Sequence, residues 1–595
     1  MRKSTIVVLL LVLAALALPA HAADEVQLSV GKAFSDAVDL EAIRLSAVQE
    51  DGRVKTFDSL AREKLKYVNA KLTGGGLDPV LVYLDMMLVP EHYAGSNVIL
   101  LRKPAVRAQL IQSVRSVVPP AQRAGVISEG ELERISRTGL VSQMFLDHPA
   151  VRGVLAAMQR DVMRTSKEVD AIEAARNLSD AGVLESLWRA VPPRGGSELD
   201  PWLSVHELRH AHEVGGPFVH PASAGAPPVD PQQAIARAWN ELASAWRFQD
   251  AKAASLALNT LARSFTLVEP KLYPSHSRLE WEHWYYKYNK LTLTWLVYFF
   301  AVPPLLMAAV FGFGWARKVG LALFVAGFAL QTFSIALRWW LAGRIPNANM
   351  FEAITASAWF GGLVAIVLEL VLRRWPVKNL PALAASVYAM FGLMVGHFMP
   401  VTVSSDIGTV MPVLDRTIWL YIHTNMVISS YALIFFASVT AALYLVLRAA
   451  NALVASPRLE AAWAGAGGVG AVRGGAGSII LGRGVAPGGI ERTGLARALD
   501  GATMIFLEVA FVTLWVGTLL GAVWADVSWG RPWGWDPKEV FALNTWIVFL
   551  ILVHVRLKVK DKALWTAILA VIGCAVMLFN WIAVNFVIVG LHSYA

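Results

Sequence analysis

Two patterns of apolar and polar positions divide the chain. From Glu25 to Asn289 charges are frequent, and apolar residues recur at three- and four-residue spacing, as in Ser59 to Leu72 and Gln232 to Leu267. That spacing lines one face of an α-helix and predicts a mainly helical domain with one or two short strands. Pro and Gly clusters at Val191 to Gly196 and Gly215 to Pro228 break it into parts. From Leu291 onward the pattern changes to long apolar runs. Eight of them, near Leu291–Phe313, Val319–Trp340, Met350–Leu372, Leu380–Phe398, Thr417–Leu447, Ala502–Trp524, Val540–Leu557 and Ala563–Val589, are long enough to cross a bilayer, which takes about 20 residues of helix. Backbone groups in lipid must be satisfied inside their own segment, so these runs predict helices. The expected fold is all-α: a polytopic membrane domain over 291–595 behind a mainly helical domain over 23–290.

The first residues add a direction. Arg2-Lys3, an apolar core from Ile6 to Leu18 and the small-residue pattern Pro19-Ala20-His21-Ala22 read as a secretory signal over 1–22, cleaved or kept as an anchor. The following domain is then exported and the first spanning helix runs inward. On that assignment the inner loops hold fifteen lysines and arginines and the outer loops five, as the positive-inside rule requires. The inner segment 448–500, rich in Gly and Ala, reads as a flexible cytoplasmic loop.

Composition narrows the chemistry. With 56% apolar and 16% charged residues the 595-residue chain is too apolar for an ordinary soluble protein. Its net charge of +9 sits outside the first half mainly in short loops beside apolar runs, a topology signal that argues against nucleic acid. Cys574 is the single cysteine and lies in an apolar run, so no internal disulfide or thiolate metal cluster is available.

The outer loop at 524–539 carries four tryptophans within twelve residues, Trp524, Trp529, Trp533 and Trp535. An aromatic belt at the headgroup level would account for the rings. The interleaved Gly and Pro instead suit a shaped loop presenting indole faces as a flat apolar platform, with Arg531 and Lys538 available to an anionic group. A flat macrocycle bearing carboxylates fits such a platform, and iron at its centre takes axial ligands, commonly imidazole. The topology puts two histidines on the same face: His423, about two turns into the fifth helix, and His592, after the eighth. Each could equally hydrogen-bond a neighbouring helix.

The run Trp529-Gly530-Arg531-Pro532-Trp533-Gly534-Trp535-Asp536-Pro537-Lys538-Glu539 resembles the WWD signature of the haem-handling proteins of cytochrome c biogenesis, and the order histidine, loop, histidine matches as well. Within that superfamily Arg338 to Ala595 is most similar to the system II subunits CcsA and ResC. The resemblance implies that haem b is bound as cargo, with His423 and His592 as axial ligands and Trp529, Trp533, Trp535 and Asp536 in the loop that holds the porphyrin. It implies a second haem position within the membrane at His554, where snorkelling or helix packing is the alternative, and Glu508 lies at similar depth. Arg338 and Arg344 would pair with haem propionates or serve as helix-end charges. His397 reads as structural. The implied partners are a CcsB- or ResB-like membrane subunit, apocytochrome c and, indirectly, thiol-reducing proteins, in a bacterial inner membrane with the haem site on its outer side. The chain would then be a component of a holocytochrome c synthase; a haem exporter or chaperone without attachment activity is the nearest rival.

Two features stand apart. His206-Glu207-Leu208-Arg209-His210 matches the His-Glu-x-x-His spacing of zinc proteases but lacks a clear third ligand, and a transporter of another substrate is a further alternative. Asp51 to Glu63 is similar to a segment of N-terminally extended relatives, with no function attached to it.

Overall fold

The computed structural model describes residues 27–50, 52–73, 77–117, 127–161, 165–197, 200–208, 230–288, 290–374, 378–399, 403–408, 418–454, 494–586 and 588. The chain forms two compact units, Met1–Lys287 and Tyr288–Ala595.

The first unit is mainly helical with two short antiparallel hairpins. Strands β1 (Ala47–Glu50) and β2 (Arg53–Thr56) pair with Ala47 opposite Thr56, and Gly52 takes the φ of 76° that the tight turn needs. Helix α1 (Phe57–Val68) begins at once because the Thr56 hydroxyl accepts the Ser59 amide proton. Helix α2 (Pro79–Leu88) is buried along its whole length and is started by Asp78 with Pro79 at the first helical position. Strands β3 (Ile99–Leu100) and β4 (Leu140–Val141) form the second hairpin. The apolar spacing from Gln232 to Leu267 is not one helix but two, α3 (Pro231–Arg247) and α4 (Ala251–Val268). The break is local: Gln249 has φ 53°, and the Asp250 carboxylate accepts the Lys252 and Ala253 amides that open α4. Aromatic rings fill the core, with Phe57 stacked on Trp188 at 4.6 Å and Trp239 tilted against Trp188 at 5.4 Å. Asp85 ties it together by accepting from the Ser29 amide, Tyr93 and Trp246.

From Arg53 to Glu63 the segment is therefore the second strand of a hairpin running into a helix, and charged residues along it face inward. Arg53 pairs with Glu282 at 2.7 Å, His283 meets Asp58 at 3.0 Å, and Tyr286 donates to Glu63 at 3.0 Å, all three partners lying on α5 (His276–Tyr288). Lys55 bridges Glu50 and Glu63. Burial opposes the charge on Asp58, but hydrogen bonds from His283 and Arg62 outweigh it and hold the carboxyl below its ordinary value. Glu50 is likewise held low, burial being offset by Lys55 and Lys64.

The second unit contains, among the described residues, eight helices long and apolar enough to span a membrane; the chain is a polytopic all-α membrane protein. They are α6 (Thr294–Phe311), α7 (Gly314–Ala342), α8 (Met350–Val371), α9 (Leu380–Phe398), α10 (Ile418–Val454), α11 (Gly494–Trp529), α12 (Pro537–Lys558) and α13 (Lys562–Phe586). Helices α10 and α11 outrun their apolar stretches, and the added turns at 448–454 and 494–501 are rich in Ala, Leu and Arg, which favour helix. The loop expected over 448–500 is thus helical up to Val454 and from Gly494, and the tryptophan loop shrinks to 530–536. Polar groups inside the bundle pair with one another. Tyr298 donates to Gln331 at 2.7 Å, and Gln331 donates to the Thr355 carbonyl at 2.9 Å. At the end away from the tryptophans Arg556 grips both oxygens of Asp500, and Arg448 pairs with Asp561.

Candidate functional site

Helices α10 and α11 approach closely where α11 has no side chains. A Cβ on Gly517 would lie 2.9 Å from Val427 Cγ2, and one on Gly521 would lie 2.5 Å from His423 Cε1. Gly517 and Gly521 form a Gly-x-x-x-Gly pair, a spacing that lets membrane helices come into backbone contact. Into that space His423 inserts, its Nδ1–H donating to the Gly517 carbonyl at 2.7 Å. A carbonyl can only accept, so this bond sets the tautomer and leaves the basic lone pair on Nε2. A histidine that ligates a metal is commonly oriented in this way. The Trp524 indole lies parallel to the imidazole, with centroids 6.5 Å apart and planes 4° apart, and Trp529 meets Trp524 edge-on at 4.8 Å.

Beyond α11 the chain turns through 530–536. Gly530 takes φ 70°, which suits glycine, but Trp535 takes φ 56°, a conformation that a bulky residue adopts only when its surroundings impose it. The constraint is visible. Asp536 caps α12, and Glu539 reaches back to accept from the Gly534 amide at 2.8 Å and the Asp536 amide at 3.1 Å. Trp533 and Trp535 sit perpendicular, 6.0 Å apart.

These elements wall a cleft of about 260 Å³ together with α8, α13 and the residues before α8, just under the ~300–1,000 Å³ usual for ligand clefts. Leu420, Val427, Ile428, Ala522, Trp524, Trp533 and Trp581 make it mainly apolar, while His423, Lys538, Asn347 and Asn580 supply polar groups. A flat apolar ligand with polar edges, approached from one side by a basic nitrogen, matches that lining.

The model of the cytochrome c assembly protein family matches residues 347–592, a stretch that takes in His423, the 530–536 loop and His554. A cytochrome c biogenesis protein CcsA of Parasynechococcus marenigrum (strain WH8102) is 31% identical over 268 residues, which are 44% of this chain and 82% of that one. The CcsA of Synechococcus sp. (strain CC9605) is 32% identical over 293 residues, 49% of this chain and 91% of its own. The chain belongs to the CcsA family of cytochrome c biogenesis proteins. The match falls on the second unit.

Within this CcsA-family bundle the structure brings only part of the expected set together. His423, Trp533 and Lys538 line the cleft, but Trp529, Arg531, Trp535, Asp536, Arg338 and Arg344 do not. Trp535 stands 73% exposed, Arg531 lies over Gly534, and Asp536 is spent as a cap. The two arginines face Glu352 instead. Arg338 donates to it at 2.8 Å and to the Ser405 and Asp406 carbonyls, while Arg344 donates to it at 2.9 Å and to the Gly408 carbonyl. A buried carboxylate with two guanidiniums pins the α7–α8 connection rather than offering charge to a ligand. His554 is on the bundle surface towards the other end, its Nδ1–H donating to Leu550 one turn back. Glu508 is exposed on α11. His397 meets Thr292 at 3.0 Å.

His592 lies outside the described residues, as do the signal over 1–22 and His210. In the first unit Glu207 is engaged by the Ser204 amide and Arg189, and His206 lies 3.5 Å from Glu185. Among the described residues no three or more His, Cys, Asp or Glu side chains come together to hold a metal ion. Asn347 and Glu352 lie in the segment Arg338 to Glu352, which resembles the family's first outer loop, but residue order gave neither a role, and it left out Gly517, Gly521 and the Asn580–Tyr431 bond at 2.9 Å. The glycine pair had a readable signal, its four-residue spacing in an apolar run.

Proposed function

We propose that this chain carries haem b as cargo in the cleft at the tryptophan end of the bundle. It presents that haem for covalent attachment to exported c-type apocytochromes. The observation that carries the reading is His423: an imidazole of fixed tautomer, backed by a parallel Trp524 and set in an apolar cleft, is an axial base prepared in advance. His592 would take the opposite axial position, and Trp533 would cover a porphyrin face. His554 would mark an earlier haem position within the membrane.

Attachment adds each thiol of an apocytochrome Cys-x-x-Cys-His across a vinyl group, forming one C–S and one C–H bond with no leaving group. The protein's contribution is then orientation and control of iron ligation, and it needs no cysteine of its own. The cleft's end faces out of a bacterial inner membrane on this reading, which the signal-like N-terminus and the inner-loop arginines support. A CcsB- or ResB-type subunit is the expected partner, with thiol-reducing proteins keeping the apocytochrome cysteines reduced.

The test is the absorption spectrum of the purified full chain beside the His423→Ala, His592→Ala double variant. Wild type is expected to show a low-spin Soret band that the variant loses or converts to high spin. Wild type without a Soret band, under haem-replete expression, would sink the reading. Reconstituted attachment to an apocytochrome separates a synthase component from a haem carrier.

A further inference from the structure

The connection before α8 holds two asparagines in opposite states. Asn349 is fully used, its side-chain oxygen accepting the Glu352 amide and its nitrogen donating to the Asp406 carbonyl. Asn347, two residues earlier, lines the cleft with both amide atoms shut off from solvent, and among the described residues it has no hydrogen-bond partner. A buried amide in that state costs stability that folding would ordinarily avoid by pairing it or by replacing it with an apolar residue. The connection cannot relax to relieve it. Arg338 and Arg344 clamp Glu352 from one side, Glu352 in turn accepts the Ala348 amide at 2.6 Å, and Asn349 caps α8. The backbone on the C-terminal side of Asn347 is therefore fixed, and it holds the unpaired amide in the wall of the cleft.

We propose that Asn347 is a specificity-determining residue that hydrogen-bonds a carboxylate side arm of the cargo through its side-chain NH2. This rests on the haem reading above. The donor is neutral and lies in the wall of a cleft lined largely by apolar residues, so a side-chain turn that brings its NH2 onto an anionic oxygen makes a charge-assisted hydrogen bond, stronger than a neutral pair. Lys538, which lines the same cleft, adds attraction for an anionic side arm without fixing its direction. Together they distinguish a porphyrin with free carboxylates from one in which the carboxylates are blocked. The arginine pair has a positioning role in this scheme, acting through the connection that carries Asn347.

The experiment titrates the purified full chain, stripped of haem, with haem and with haem dimethyl ester, following the Soret band. Wild type is expected to bind haem at least about tenfold more tightly than the ester, and Asn347→Leu to lose about tenfold in haem affinity with ester affinity unchanged. Asn347→Asp, which keeps size and polarity but repels a carboxylate, should weaken haem further than Leu does and again spare the ester. It also serves if the Leu variant does not fold. Equal loss of both ligands would mean that Asn347 only packs the wall and would overturn the proposal, as would unchanged affinity for both. If wild type bound neither porphyrin, the haem reading itself would fall. Wild type binding haem and ester equally would leave that reading standing and remove Asn347 from it.

Discussion

His423 owes its position to a residue with no side chain. Replacing Gly521 by Ala would set a Cβ 2.5 Å from the imidazole, so the ring or the helix must move. Overpacking of this kind costs about 1–3 kcal/mol, and the better helix propensity of Ala returns roughly 1 kcal/mol. We therefore expect Gly521→Ala to shift the thermal midpoint by only a few degrees, while the low-spin Soret signal that the proposed function calls for is lost. A variant that kept both would show that the ring is not positioned by this contact. Gly517 differs, because it also supplies the carbonyl that orients the ring. Its bulky replacements should reduce stability and spectrum together, read by the same pair of measurements.

Among the elements, the connection between α7 and α8 is held by charge rather than by apolar packing. Glu352 is fully buried between Arg338 and Arg344. Removing one partner of a buried pair leaves an uncompensated charge at a cost of about 3–5 kcal/mol. Glu352→Ala should accordingly lower the unfolding midpoint of the detergent-purified chain strongly, and an unchanged midpoint would refute the clamp. The tryptophan loop is held differently, by the reciprocal cap of Asp536 and Glu539 on α12. Glu539→Ala frees the Gly534 and Asp536 amides and relaxes Trp535 from its left-handed conformation. The expected loss is about 1 kcal/mol of local stability, seen as faster proteolysis or exchange confined to this loop.

At the scale of the whole molecule, the first unit carries its own pH dependence. Asp58 and Glu50 have folded-state pKa values below their ordinary ones. Their stabilisation is thus full above the unfolded value of about 4 and disappears as pH falls through the folded value. Lys55 is shifted upward, burial being outweighed by Glu63 and Glu50. Its contribution is present below an unfolded value of about 10.4 and is lost only as pH rises past the folded one. Hydrogen exchange of the 47–63 hairpin and helix, corrected for intrinsic rates, should show protection flat from pH 5 to 9, about the middle of that window. Protection should fall more steeply below pH 4 in wild type than in Asp58→Asn. Equal slopes would show that Asp58 is not a net contributor.

How much of this was legible from residue order follows from the range of the forces. Eight spanning helices, their approximate limits and the separation of a charged first half from an apolar second half are local properties. Twenty apolar residues must form a helix in lipid whatever their neighbours are. His423 and Trp533 could be singled out because their chemistry is unusual at a membrane end. What residue order could not supply was partnership. Arg338, Arg344, Asp536 and Glu539 resemble available charges until tertiary contacts show each one already engaged, and Asn347 resembles any loop asparagine until the fold buries its amide with no hydrogen-bond partner among the described residues. Burial and pairing depend on residues far away in the chain, so only the tertiary structure decided which polar groups face the cleft and which hold it open.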